Sequence, residues 1–507
     1  MLYQPISIND WSGGIADSAY KGIAGSHFEM VGLDIHSEPG IVQVQNKMFD
    51  PGNPIKGKIR WFKASTATEC YALAGITASP QLYKSTDSGT TWTQKYPSKD
   101  FSTGNGNGFT IWRGYLFIAG DSKLDIYNAS TDSDLIGWKT FTDDQGTTIS
   151  DDYHPMWTGE RDGSLYIGNK NYIALLTEVS GTVFNPNNTA TYTWNSYALD
   201  IPPDFRIRSI EEIGNHLMLG CWRTIWSNAI DGYTQTMVAI IYPWNYVLRP
   251  QSHEGPISIR RIKGVSAMLN INDSLYAWVG TRGEIFYYNG SKLIKLKRVP
   301  DYITDVVEPG AVVSNFNDVP LFGLENPTTG GGGVYSFGSH NEKYPLALNL
   351  EYPLSPGQDV NYLVGAVGVI GATDNILLAG WKSGSTYGID ILNTAVRYAS
   401  AYFVTRLMRV ATAKDKAIID GFQIFLDQPL AASQSINIKY RRNTGASWTT
   451  VKLGNNAKTM DYSEIGAKSE IYVPFKINDV VNLQLRVEFT VATDNNNTSK
   501  LREIMIR

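Results

Sequence analysis

A short apolar segment that ends on glycine recurs seven times along this chain of 507 residues. It reads YALAG, YLFIAG, SLYIG, HLMLG, SLYAWVG, VPLFG and ILLAG, ending at Gly75, Gly120, Gly168, Gly220, Gly280, Gly323 and Gly380. Successive glycines lie 45, 48, 52, 60, 43 and 57 residues apart. That period matches propeller blades, which take roughly 40–50 residues each. A strand-like stretch precedes each copy, for example IRWFKA (59–64) and VGAVGVI (364–370), and a second follows, for example QLYKS (81–85) and TIWSN (224–228). Most units add a third, such as TWTQKYP (91–97) or LALNLEYP (346–353). β-Branched and aromatic residues fill these stretches, and polar turns separate them. Helical periodicity is nearly absent, which excludes a helical solenoid. The chain is 42% hydrophobic and 12% aromatic, enough to bury several cores. The expectation is an all-β fold: a β-propeller of about seven blades over residues 59–400.

The first unit carries STDSGTTW at residues 85–92. Ser85, Asp87, Gly89, Thr91 and Trp92 stand at the offsets of S-x-D-x-G-x-T-W, which resembles the Asp box. That hairpin occurs in sialidases, other glycosidases and many propellers that are not enzymes. Asp87 suits a tight turn and accepts backbone N–H bonds, Gly89 supplies a left-handed position, and Trp92 lays its ring on the hairpin. None of these roles needs a substrate, so the five residues are expected to form a structural turn.

Enzyme signatures are thin. No Arg-Ile-Pro stands near Ile59-Arg60-Trp61, and one clean Asp box is present where sialidases commonly carry several. A glycosidase needs two carboxylates held about 5–10 Å apart. With 48 Asp and Glu in the chain, the neighbours Glu211/Glu212 and Asp151/Asp152 do not by themselves define such a pair. Adjacent strand residues also face opposite sides. His154, His216, His253 and His340 show no metal spacing. The run TTGGGGVYSF (328–337) lacks the Lys-Ser/Thr and helix of a P-loop and reads as a hairpin tip. No catalytic, cofactor-binding or metal-binding residue is expected, and no cofactor. Trp222, Trp226, Tyr242, Trp244 and Tyr246 crowd the fourth unit and read as packing. Arg260, Arg261, Lys263, Lys292, Lys295 and Lys297 form a modest basic cluster that reads as a solvated face. Cys70 and Cys221 are expected as buried free thiols.

Beyond residue 400 the strands lengthen and alternate strictly. Leu483, Leu485, Val487 and Phe489 share one face, with Gln484, Arg486 and Glu488 on the other. Residues 401–507 are therefore expected to form a β-sandwich after the propeller. Residues 1–58 fall outside the repeat. They are expected to supply a strand, Ile41 to Gln45, that completes the last blade, and an arm that reaches a neighbouring subunit. The opening MLYQPISINDWSGG has neither a basic n-region nor an apolar h-region, which predicts no secretory leader and synthesis in a cytoplasm. No apolar run approaches the ~20 residues of a membrane span. A net charge of −4 gives no general case for wrapping nucleic acid.

The opening NDWSGGIAD, with its SGG at 12–14, and the later GLDI…EPGIVQVQ stretch, with its Pro-Gly step at 39–40, precede a repeat-rich β body and a C-terminal sandwich. This order resembles structural proteins of bacteriophage tails, nearest to the tail nozzle or hub proteins of short-tailed phages. The resemblance implies a virion protein without enzymatic activity. It implies a homo-oligomeric ring, typically of six copies, docked on a portal-adaptor ring or other tail proteins, through which DNA passes. Two other roles fit the same fold: a tail fibre or receptor-binding protein that grips a host surface glycan, and a propeller glycosidase.

Overall fold

The computed structural model describes residues 5–507 apart from 17, 23, 53–54, 67, 77–78, 96–100, 102–105, 224–237, 261–263, 280–283, 291, 299–311, 317–318, 325–332, 339–346, 355–361, 364–376, 384, 453–459, 462–467 and 492–497. The chain forms a seven-bladed β-propeller and a β-sandwich. Five blades are self-contained four-stranded antiparallel sheets in chain order. The first comprises Lys58–Ala64, Cys70–Ile76, Ser79–Ser85 and Thr93–Lys95. The second runs from Gly108–Trp112 to Ser133–Thr140, the third from Met156–Thr158 to Tyr192–Asp200, the fourth from Phe205–Ile213 to Ile257–Arg260, and the fifth from Val265–Ile271 to Leu293–Arg298. The sixth, from Val312–Phe316 to Ala347–Pro353, continues into a larger sheet. First strands of successive blades from one to six lie against one another, so they form the inner wall of the ring.

In every blade but the fifth, whose Gly280 lies outside the described residues, the recurring glycine lies on or just past the second strand, and its bareness has a packing reason. A Cβ on Gly168 would stand 3.0 Å from Ile207, and one on Gly220 would stand 2.8 Å from Val265. Both contacts come from the first strand of the next blade, which can approach only over glycine. Apolar clusters then fill every junction. Trp61 and Leu73 meet Phe109 and Ile118; Phe117 and Leu124 meet Leu165 and Leu176. Tyr166 and Ile173 meet Ile207 and Leu217; Met218 and Ile241 meet Val265 and Leu275. Trp278 meets Phe322, and Leu321 meets Trp381. Leu378 and Ile389 return to Ile59 and Phe62, which closes the ring.

The seventh blade is composite. Tyr362–Leu363, Leu378–Ser383 and Thr386–Arg397 receive their fourth strand, Asn46–Phe49, from the start of the chain. Phe49 pairs with Ile391 and Met48 with Leu392. The expected closing strand, Ile41 to Gln45, is thus displaced by a few residues. Val42–Val44 instead pairs with Lys500–Ile506 in the sandwich. Its side chains are buried on both faces, and Val42 and Val44 enter the sandwich core.

The sandwich also uses more of the start of the chain than expected. One sheet is ordered Leu33–Asp34, Val42–Val44, Lys500–Ile506, Ala417–Leu426, Glu470–Val480, with Ile6–Ile8 on Lys500–Ile506. The other contains His27–Val31, Tyr402–Thr405, Asn482–Thr490 and Ser435–Arg441. Leu483, Leu485, Val487 and Phe489 face the core between the sheets, with Phe422 and Ile424 opposite. The described part of residues 1–45 is therefore built into this same molecule rather than extended as an arm. His27–Val31 also joins the outer strand of blade six in parallel, Val31 opposite Leu350, so one eleven-stranded sheet runs from propeller into sandwich. Cys70 and Cys221 are buried and unpaired. Among the described residues no helix is long and apolar enough to cross a membrane.

Candidate functional site

The Asp box forms the hairpin between the third and fourth strands of blade one. Ser85 Oγ donates to Asp87 Oδ1 at 2.8 Å and accepts from Gly89 N at 2.9 Å. Asp87 Oδ1 accepts from Thr91 N at 2.8 Å, and its Oδ2 accepts from Thr91 Oγ1 at 2.6 Å. Burial pushes the Asp87 carboxyl up slightly, but the Thr91 and Ser85 bonds outweigh it and hold the group below the usual range. Trp92 Nε1 donates to the Gly89 carbonyl at 2.7 Å. Gly89 has φ +89°, and a Cβ there would meet Leu378 of blade seven at 2.6 Å. Trp92 packs with Leu378, Ile389 and Ile391 of the same blade. The hairpin thus sits on the seam where the ring closes, with its polar atoms turned to one another.

The most polar constellation lies elsewhere, at one end of the central channel. Asp151 and Asp152 occupy the connector that enters blade three, and Arg206 and Arg208 stand on the inner strand of blade four. Because the connector is not a strand, the alternation that would separate the two aspartates does not apply. Arg206 Nη1 lies 3.1 Å from Asp151 Oδ1 and 3.6 Å from Asp152 Oδ1, and Arg208 Nη2 lies 2.8 Å from Asp152 Oδ1. The Arg208 guanidinium is held between the Tyr153 and Trp222 rings, 5.2 and 5.1 Å from their centroids. Burial raises Asp151 to about 7 against the pull of Arg208 and Arg206. At Asp152 burial also pushes upward, but Arg208 and the Asp151 bond prevail and hold it at about 2. Its side chain is 73% exposed, so solvent screens that pairing. Lys63, on the inner strand of blade one, keeps exposed surface; the protein around it lowers its ammonium, and Glu211 of blade four offsets part of that. Burial raises Glu211 to about 8.

Such split carboxylates are what acid–base chemistry uses. Here, however, Asp151 is sealed beneath the two arginines, with no exposed side-chain surface. Asn107 Nδ2 bonds Asp121 Oδ1 at 2.8 Å and the Asp151 carbonyl at 3.0 Å, so the connector is also fixed from blade two. A sequence signal existed in Arg206-x-Arg208, two cations on one face of a strand.

The other sequence candidates are structural in position. Glu212 accepts from Trp157 Nε1 at 3.0 Å, from Glu160 N at 2.9 Å and from the Tyr246 hydroxyl. A Tyr–Glu pair occurs in sialidases, but Tyr246 is fully buried. Trp244 and Tyr242 belong to the same inter-blade cluster, and Trp222 caps Arg208. His154 is stacked on Phe141 at 4.3 Å between the Gly168 and Asp121 carbonyls, and burial lowers it to about 4. His216 meets Glu254 at 2.7 Å, and His253 lies edge-on to Tyr242. Lys295 pairs with Glu284 at 2.6 Å. Trp226, Arg261, Lys263, His340 and residues 328–332 lie outside the described residues. Among the described residues no group of three or more His, Cys, Asp or Glu is placed to hold a metal.

No family model matches the chain, and no curated protein matches it. Among solved structures it is similar to YCF48 bound to a D1 peptide, at 12% identity and a TM-score of 0.44, over 73% of this chain and 97% of that one. It is also similar to the β-propeller domain of Cps50 (Swd1) from Myceliophteria thermophila, at 9% identity and a TM-score of 0.41, over 69% and 98%.

Proposed function

We propose that this chain is a structural protein of a bacteriophage tail, a subunit of a ring-like nozzle or hub that other tail parts attach to and through which DNA passes. The observation that carries this reading is the eleven-stranded sheet shared by blade six and the sandwich, in which Val31 pairs with Leu350. Separate domains on a linker move relative to each other by default. Two domains that share a sheet behave as one stiff body, which suits a subunit that transmits force around a ring. The start of the chain reinforces that body by pairing with both domains. Two carboxylates that the sequence singled out are taken up by neighbours: Glu212 by Trp157, Glu160 and Tyr246, and Asp87 by its own hairpin. In this reading the protein acts by assembly in the virion, with its own copies and a portal-adaptor ring as partners.

Electron microscopy of the purified protein, and of particles that contain it, tests the proposal. The expected result is a closed ring of like subunits at the tail end. A stable monomer that hydrolyses a glycan would overturn it.

A further inference from the structure

The outer face of the sandwich sheet is unlike the rest of this mildly acidic molecule. Pairing places Lys439 opposite Arg486 and opposite Thr450, and Arg441 opposite Gln484, all pointing away from the core. Lys452, exposed, lies two residues beyond Thr450 and so continues the same face while Val451 turns inward. Against these four cations stand two carboxylates. Glu488 is shared by Lys439 Nζ and Arg486 Nε, each at 2.8 Å, and Glu29, on the strand His27–Val31 of the same sheet, acts on Arg441.

Two guanidinium groups on this face are stacked on rings. Arg441 lies 4.3 Å from the Trp448 centroid, with its Nε bonded to Gln484 at 2.7 Å, and Arg486 lies 3.9 Å from that of Tyr402. At the edge of the face Tyr20 is 66% exposed, with its hydroxyl 3.0 Å from Thr444 Oγ1. Its position is close enough to influence Arg441. Preordered cations beside an exposed aromatic ring are the parts of a nucleic-acid surface: the charges take phosphates, and the ring takes a base.

We propose that this face of the sandwich, centred on Lys439, Arg441, Lys452 and Arg486 and edged by Tyr20, binds the phosphodiester chain of DNA. The inference deepens the nozzle reading, in that it names the surface each subunit turns toward the passing genome. Contact would be by backbone charge and stacking, without sequence preference. The excess of cations over carboxylates is small, so binding would be weak and released by salt, as suits a strand that must move on.

The test is fluorescence anisotropy of the full chain with labelled duplex and single-stranded DNA across a salt series. The expected result is binding at low salt that fades as salt rises. The log–log slope should shrink by about 0.9 for each duplex phosphate contact removed. Lys439→Gln/Arg441→Gln/Lys452→Gln should show this loss. Because Lys439 and Arg441 also hold local structure, Lys452→Glu and Tyr20→Ala are made singly, with unchanged thermal unfolding as the control. Lys452→Glu should weaken both ligands, and Tyr20→Ala the single strand above all. Absence of binding at low salt overturns the proposal. So does binding that none of these variants alters, or heparin bound as tightly as DNA with Tyr20→Ala changing neither. Rings that bind no DNA would leave the nozzle reading standing and remove this face. A DNA-binding monomer that forms no ring would do the reverse.

Discussion

At the scale of residues, the Asp-box hairpin is a joint. Gly89 has two reasons to lack a side chain, its φ of +89° and the Leu378 methyl 2.6 Å from where a Cβ would stand. Gly89→Ala should therefore cost on the order of 1–3 kcal/mol, read as a lower midpoint in chemical denaturation. Trp92→Ala removes a buried ring from the closing seam and should cost about 3–5 kcal/mol. Asp87 is exposed and its bonds are local, so Asp87→Ala should cost only about 1 kcal/mol. A larger loss for Asp87 than for Trp92 would contradict this ranking. The offsets S-x-D-x-G-x-T-W made the turn legible in the sequence. The identity of what it presses against was not, because Leu378 lies nearly 300 residues away and no local pattern encodes that contact.

At the scale of elements, the strand Asn46–Phe49 decides whether the ring is closed. Met48 is fully buried among Leu321, Val334 and Trp381. Met48→Asp places an unpaired carboxylate there and should unfold blade seven, seen as amide exchange spreading from Thr386–Arg397. Just upstream, the seam between blade six and the sandwich holds buried polar groups. Gln45 donates to Glu351 at 2.8 Å, Gln43 to Asp34 at 2.9 Å, and His36 meets Ser336 at 3.1 Å. Burial, and then Asp34, raises Glu351 to about 8; His36, Arg397 and Tyr352 also stand at this seam. A carboxyl raised in the folded state favours folding most below its ordinary range, and that advantage is lost as pH climbs through 8. Thermal stability should therefore fall from about pH 5 to about pH 9, by on the order of a few kcal/mol. Asp151 and Glu211, raised to about 7 and about 8, act in the same window, so Glu351→Gln should remove only its own share of that fall, and an unchanged slope in this variant would refute the assignment. The seven blades were readable because each repeats one apolar strand that ends in glycine. The sandwich was readable from strict alternation in residues 482–490. The closing strand was placed a few residues early because Val42–Val44, VQV, reads as the more apolar of two short neighbouring strands, while Asn46–Phe49 begins with Asn and Lys. The partners they find, Lys500–Ile506 and Thr386–Arg397, tell them apart. The channel aspartates were misread because a connector was treated as a strand.

At the scale of the whole molecule, the first strands of the blades line the propeller channel. In the nozzle reading DNA passes through the hole of the assembled ring, against the basic face of the sandwich, and not through any one propeller. Electron density for DNA in tail particles should run along the symmetry axis of the assembly, and never along a propeller axis. The composite blade has one more consequence, which concerns time. Residues 46–49 leave the ribosome more than 300 residues ahead of their partner strand, 386–397. The strand Ile6–Ile8 waits longer still, for residues 504–506. Contacts of such long reach form late and slowly. A nascent chain of this protein therefore exposes an open ring until residues 386–397 have been translated. Synthesis itself postpones the moment at which one copy can recognise another.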